Sequence, residues 1–191
     1  MATFPTAFGS LTPVARVLPA VDGPEAGGGA GQVVGGAGPE ARLRALGIVL
    51  PTPTPPVAAY VPTRRAGSLL VVSGQLPFQD GVLLATGIVG RGVDLATAQA
   101  CARRCVVNAL AAVRAAVKSL DAVRGVVRVG VFVACVPEFT DHPRVANGAS
   151  ELLVEVFGEP GRHARAAVGA PSLPLNAPVE VDLMLEVSPG V

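Results

Sequence analysis

Two ionisable residues stand apart near the end of this 191-residue chain. In "HARAAVGAPSLPLNAPVEVDLMLEV", residues 163–187, Arg165 sits between Ala164 and Ala166. Glu180 follows fifteen positions later, between Val179 and Val181. Neither has an opposite charge in its own apolar run. A guanidinium on a strand of small residues is a rigid fork for a carboxylate, which it grips through two parallel charge-assisted bonds. A glutamate that alternates with valines points away from them, where it can act as a general acid/base on a water. The ordinary readings are an Arg that snorkels to solvent and a Glu exposed on a strand.

These two strands need a scaffold. "AAYVPTRRAG" and "SLLVVSGQLP" read as two strands joined by a turn at Arg65-Ala66-Gly67, and "GVLLATG" as a third. Asp94 caps a long helix, "LATAQACARRCVVNALAAVRAAVKSL", whose apolar positions recur at helical spacing. "VVRVGVFVACV" is β-branched and nearly continuous, the pattern of a central strand buried on both faces. "HPRVANGASELLVEVFG" is a second helix, capped by Asp141 or His142, with Pro143 in its first turn and Gly158 at its end. Upstream, "PEARLRALGI" is a short helix entered at Pro39, followed by the extended run "LPTPTPP". The order is that of an α+β layer design, with helices on one face of a mixed sheet. The other face needs a cover, and oligomerisation is the simplest one.

Composition agrees with one such domain. Half of the residues are hydrophobic and only 15% are charged, with no Trp and one Tyr, so Val, Leu and Ala must build the core. Residues 1–38 hold the Gly-rich "GPEAGGGAGQVVGGAG", which costs more entropy to order than it can bury. It reads as a flexible tail or a stretch before the true start, which leaves 39–191 as the domain. A net charge of +1 argues against a nucleic-acid partner. Arg103-Arg104 and "RGVVR" have no aromatic stacking platform beside them. No apolar run is long enough to span a membrane, and the N-terminus is a poor signal peptide. Three cysteines without framework spacing fit the reducing cytoplasm. Cys101, Cys105 and Cys135 are expected as small core residues rather than metal ligands, with His142 and His163 at ordinary loop or strand starts.

The segments "AAYVPTRRAGSLLVVSGQLP", "VVRVGVFVACVPEF", "VANGASELLVEVFG", "HARAAVGAPSLP" and "PVEVD" follow one another, with Leu-Pro eight residues and Glu fifteen residues after the Arg. In this order the chain resembles the reactive-intermediate deaminase (Rid, or YjgF) family over about residues 40–188. The resemblance implies a chorismate-mutase-like fold, a mixed sheet with two helices on one face, assembled as a homotrimer with clefts between subunits. It also implies cofactor-free hydrolysis of imine and enamine carboxylates to keto acids and ammonia. By the same resemblance Arg165 binds the substrate carboxylate and Glu180 orients the attacking water. Tyr60 and Asn147 line the cleft from the adjacent subunit, and the backbone of Gly74 approaches the substrate. Ala166 and Ala167 stand where the well-studied deaminases have Ser and Cys, and Ser150 replaces an aromatic residue. These changes imply a more open pocket with fewer side-chain donors and a larger or different substrate. Two other functions fit the same cleft: a non-catalytic trimer that binds small carboxylates, and an enzyme of specialised metabolism acting on another activated carbonyl or imine.

Overall fold

The computed structural model describes residues 37–53 and 59–190. Residues 1–36 of the expected tail 1–38 lie outside them, as do residues 54–58 of the Pro-rich stretch, while Gly38 caps the first helix.

Three helices and one principal sheet make up the frame. Helix α1, Pro39–Ala45, starts on its proline, whose missing N–H and fixed φ suit a first turn. Helix α2, Leu95–Val117, is capped by Asp94, whose Oδ1 accepts the Thr97 N–H at 2.8 Å. Such a cap is worth about 1 kcal/mol. The helix ends at Lys118 in a left-handed conformation, two residues before Leu120, where the apolar pattern stops. Helix α3, His142–Phe157, follows Asp141 and stops at Gly158.

The sheet contains β1 (Thr63–Ala66), β2 (Leu69–Gln75), β7 (Val123–Ala134), β8 (Ala164–Ala170) and β9 (Val179–Val187), in the order β1-β2-β9-β7-β8. All pairs are antiparallel except β7 with β8. The first turn falls at Gly67-Ser68, leaving Arg65 and Ala66 in the strand. "GVLLATG" contributes only the two-residue β4 (Val82–Leu83), which pairs with β3 (Phe78–Gln79) outside the main sheet. A parallel pair, β5 (Ile88–Val89) and β6 (Gly92–Val93), leads into α2.

Burial follows the two-residue strand period. Val129, Val131 and Val133 of β7 and Val179, Val181, Leu183 and Leu185 of β9 are buried on one face together with α2 and α3. The expectation that β7 is buried on both faces fails. Val127 is 41% exposed, Arg124 and Arg128 are exposed, and Phe132 is only half-buried. The open face also shows Leu69, Val71 and Val168.

The helical layer has three members rather than two. The polar flank of α2 meets α3: Gln99 Nε2 donates to Arg144 O at 2.8 Å, and Arg103 pairs with Glu155 at 2.8 Å. Gly148 lets the helices close, because a Cβ there would strike the Gln99 backbone. Arg114 reaches Leu50 O at 3.5 Å and lies 3.9 Å from Glu40 of α1.

Candidate functional site

Strand pairing fixes which way each candidate points, because residues in register share a face. Arg165 pairs with Val129, which pairs with Leu183, and both partners are buried beneath the helices. Arg165 therefore leaves the edge strand on the helix side. Its Nη1 donates to Asn147 Oδ1 and to Ser150 Oγ of α3, each at 3.0 Å. No acid pairs with it among the described residues, and its Nε and Nη2 have no protein acceptor there.

Glu180 pairs with Phe132, which pairs with Val168, so it leaves the sheet on the open side. A register shift on β2 between Val72 and Gln75 brings Gly74 against it. A Cβ on Gly74 would overlap Glu180 Oε1, so only glycine allows this approach. No cation or hydrogen-bond donor holds the carboxylate among the described residues. Burial pushes its pKa above the ordinary value, and the neighbouring charge of Asp182 adds to the shift. Asp182 itself accepts from Arg128 Nη1 at 3.1 Å and Gly130 N at 3.0 Å.

Tyr60 directly precedes a segment tied to β2. Ser73 N donates to Pro62 O at 3.0 Å and Ser73 Oγ to Val61 O at 2.7 Å, which lays the segment after Tyr60 along β2 beside Gly74. The ring is 51% exposed.

The candidates thus form two groups: Arg165 with Asn147, and Glu180 with Gly74 and the Tyr60 segment. Asn147, expected to line the cleft from the adjacent subunit, is hydrogen-bonded to Arg165 of its own chain. The reason is geometric, as α3 packs over β7 and its edge neighbour β8. Arg165 and Glu180 are separated by two strand spacings and three residues, about 14 Å between Cα atoms, and face opposite sides of the sheet.

Two histidines set aside in the sequence have side-chain partners. His163 Nε2 lies 3.0 Å from Ser150 Oγ, and its Nδ1 lies 2.6 Å from Gly161 O. Ser150 in place of an aromatic ring therefore adds a polar partner for Arg165 instead of removing one. His142 Nε2 lies 3.3 Å from Cys135 Sγ, with the Phe139 ring edge-on to it. Cys101 and Cys105 are core residues as expected, whereas Cys135 is half-buried. Its cleft includes Gly169, where a Cβ would crowd both Cys135 and His142. Only the helical spacing of Asn147 and Ser150 hinted at a shared face. Among the described residues no helix is long and apolar enough to cross a membrane.

Residues 40–187 match the model of a family described as "YjgF/chorismate_mutase-like, putative endoribonuclease". The chain is 45% identical over 149 residues to Protein TCP17 of Trypanosoma cruzi, covering 78% of this chain and 93% of that protein. It is similar to the structure of Atu1372, a protein of unknown function from Agrobacterium tumefaciens (52% identity, 78% and 92% of the two chains, TM-score 0.74). A structure described as a putative endoribonuclease from Shewanella oneidensis MR-1 gives 34% identity, coverage of 79% and 100%, and a TM-score of 0.77. The structure of RidA from the Antarctic bacterium Psychrobacter sp. PAMC 21119 gives 27% identity, 71% and 94%, and 0.51.

Proposed function

From a chain that belongs to the Rid/YjgF family, we propose a cofactor-free hydrolase of imine and enamine carboxylates, working in a cleft between copies of a homotrimer. The observation that carries this reading is the pair of unpartnered charges. An arginine held by Asn147 and Ser150 keeps its Nε and Nη2 for a ligand. A half-buried glutamate with a raised pKa has no cation to neutralise it among the described residues.

The chemistry follows from these two groups. The substrate carboxylate takes the open edge of Arg165. Glu180 accepts a proton as water adds to the imine carbon, and the carbon–nitrogen π pair moves to nitrogen. Glu180 then returns that proton to nitrogen, giving a carbinolamine. It next takes the carbinolamine hydroxyl proton and delivers it to the leaving nitrogen as the C=O forms and the carbon–nitrogen bond breaks, so that ammonia and a keto acid leave. A carboxylate with a raised pKa suits both halves of this exchange. Because the imine carbon is already electrophilic, the barrier left to the protein is modest.

The two groups face opposite sides of one sheet, so a small substrate meets both only when the Arg165 side of one copy faces the Glu180 side of another. Exposed Leu69, Val71 and Val168 on the open face favour such an assembly. The endoribonuclease in the family's description finds less support here. Arg103 and Arg128 are paired with Glu155 and Asp182, and Arg104 Nε donates to Phe78 O at 2.5 Å, so this cationic surface is partly committed. The decisive assay generates 2-aminoacrylate or 2-iminobutyrate in situ and follows keto-acid release. The reading expects acceleration over buffer. Its absence with either imine refutes the hydrolase and leaves a carboxylate-binding protein.

A further inference from the structure

Ser150 sits between a base and a cation, on a helix that holds it still. His163 Nδ1 lies 2.6 Å from Gly161 O, a carbonyl that can only accept, so Nδ1 carries a proton. In the neutral ring Nε2 is then the acceptor, and the Ser150 hydroxyl 3.0 Å away donates to it. Arg165 Nη1 donates to the same oxygen at 3.0 Å. A hydroxyl with a base on its proton, a third group orienting that base and a cation at its oxygen has the arrangement of an activated nucleophile. Such arrangements are recognised by geometry and roles, whatever the fold.

The surroundings suit a substrate. Gly161 is buried, and a Cβ there would strike the Leu153 backbone, so the orienting carbonyl is fixed. Ser150 opens onto a groove of about 450 Å³ lined also by Glu151, Val154 and Glu155. One turn earlier on α3, Asn147 Oδ1 is engaged by Arg165, while its Nδ2 has no acceptor among the described residues.

We propose that Ser150 is a nucleophile and His163 its general base, for hydrolysis of an ester or amide whose acyl half carries a carboxylate. Arg165 anchors that carboxylate through Nε and Nη2. Ser150 Oγ adds to the acyl carbon as its proton passes to His163 Nε2, and the carbonyl π pair moves to oxygen. Arg165, whose Nη1 lies 3.0 Å from Ser150 Oγ, is the donor placed to face that oxyanion. The tetrahedral species collapses, the bond to the leaving oxygen or nitrogen breaks, and His163 gives its proton to the leaving group. Water then attacks the acyl-serine, loses a proton to His163, and releases the acid as that proton returns to Ser150. Both steps balance without an oxidant or a co-reactant beyond water. Nothing here needs Glu180 or a second copy, so the inference stands apart from imine hydrolysis.

The test uses a fluorophosphonate probe on the full-length protein, read by intact mass and by peptide mapping. A single adduct on Ser150 is expected, absent in Ser150→Ala. In His163→Asn its rate of formation should fall about 10²–10⁴-fold, the usual worth of positioned acid/base help. Circular dichroism and melting curves of both variants establish that they fold. If either does not, Ser150→Cys supplies a second readout, because the thiol it places beside His163 and Arg165 should be alkylated at least tenfold faster than Cys135 in the same molecule. No adduct, an adduct elsewhere such as Tyr60, an unchanged rate in folded His163→Asn, or a thiol in Ser150→Cys that reacts no faster than Cys135 overturns the proposal. Keto-acid release from an imine is a separate readout, so either activity can fail without the other.

Discussion

Among the described residues Arg165 and Glu180 lack counter-charges, so each can be altered with little collateral damage to ion pairs. Arg165→Ala should weaken carboxylate binding by about 2–5 kcal/mol if the guanidinium clamps the ligand, read by calorimetry with the product keto acid. Its melting temperature should stay close to wild type, since an exposed residue outside the core seldom contributes more than about 0.5 kcal/mol. Glu180→Gln should lower imine turnover about 10²–10⁴-fold and leave keto-acid affinity within a few-fold. It should also change stability, with a sign set by burial. The folded protein holds the Glu180 proton more tightly than the unfolded chain, whose ordinary value is 4.5. Stability is therefore lost as pH rises through the interval between 4.5 and the folded pKa. Glutamine removes that cost, so Tm at pH 7 should rise by about 1–3 °C. The gain should vanish below about pH 4, where both states bind the proton. A lower Tm at pH 7 would mean that the carboxylate has a stabilising partner. Both charges were legible in the sequence because a charge inside an apolar run is anomalous by itself. The link between Ser150 and His163 was not, because a hydrogen bond between a helix and a strand entry leaves no local mark on either.

At the scale of elements, the irregularity in β2 matters more than the regular ladder around it. The extra residue between Val72 and Gln75 turns Gly74 onto Glu180, and bulges recur where a sheet re-aims a functional side chain. Gly74→Ala should displace the carboxylate, lowering turnover at least tenfold while trimer or monomer state and circular dichroism stay unchanged; wild-type turnover would remove Gly74 from the site. Helix α2 carries Cys101 and Cys105 into the core, while Cys135 follows the end of β7. Burial pushes the Cys101 thiol up to about 11 and the Cys105 thiol well above its ordinary value; it raises the Cys135 thiol as well, but that residue opens on a cleft. Native protein should consume one equivalent of a thiol reagent rapidly and two more only after denaturation, with mapping placing the first at Cys135. Helix starts were readable from Pro39 and Asp94, and strand identity from β-branched runs, because caps and side-chain periods are local. Which face of β7 is covered was not readable, since Val127 and Phe132 look as apolar as Val129 and Val131. The short β3, β5 and β6 pieces also escaped, because a two-residue strand has no period to detect.

For the whole molecule, the sheet geometry turns assembly into a question about catalysis. Arg165 leaves the sheet under α3 and Glu180 leaves it on the open face. A site that needs both must therefore be completed by another copy, and a closed ring of identical contacts gives one such site per adjacent pair. The family resemblance supplied the expectation of a trimer, but the division of the two charges between faces required the strand register, which no spacing along the chain reveals. Complementation separates this arrangement from a site within one chain. Arg165→Ala and Glu180→Gln should each be nearly inactive alone. When they are unfolded and refolded together in equal amounts, a site is intact only where the Arg donor is the glutamine variant and the Glu donor is the alanine variant. Random mixing makes that about one site in four, so about a quarter of wild-type turnover should return. The fraction is the same for any closed ring, and light scattering then decides whether the ring is a trimer. Mixed oligomers verified by mass spectrometry that recover no activity would place the two charges in separate functions, leaving Arg165 to serve Ser150 and Glu180 without a part in carboxylate chemistry.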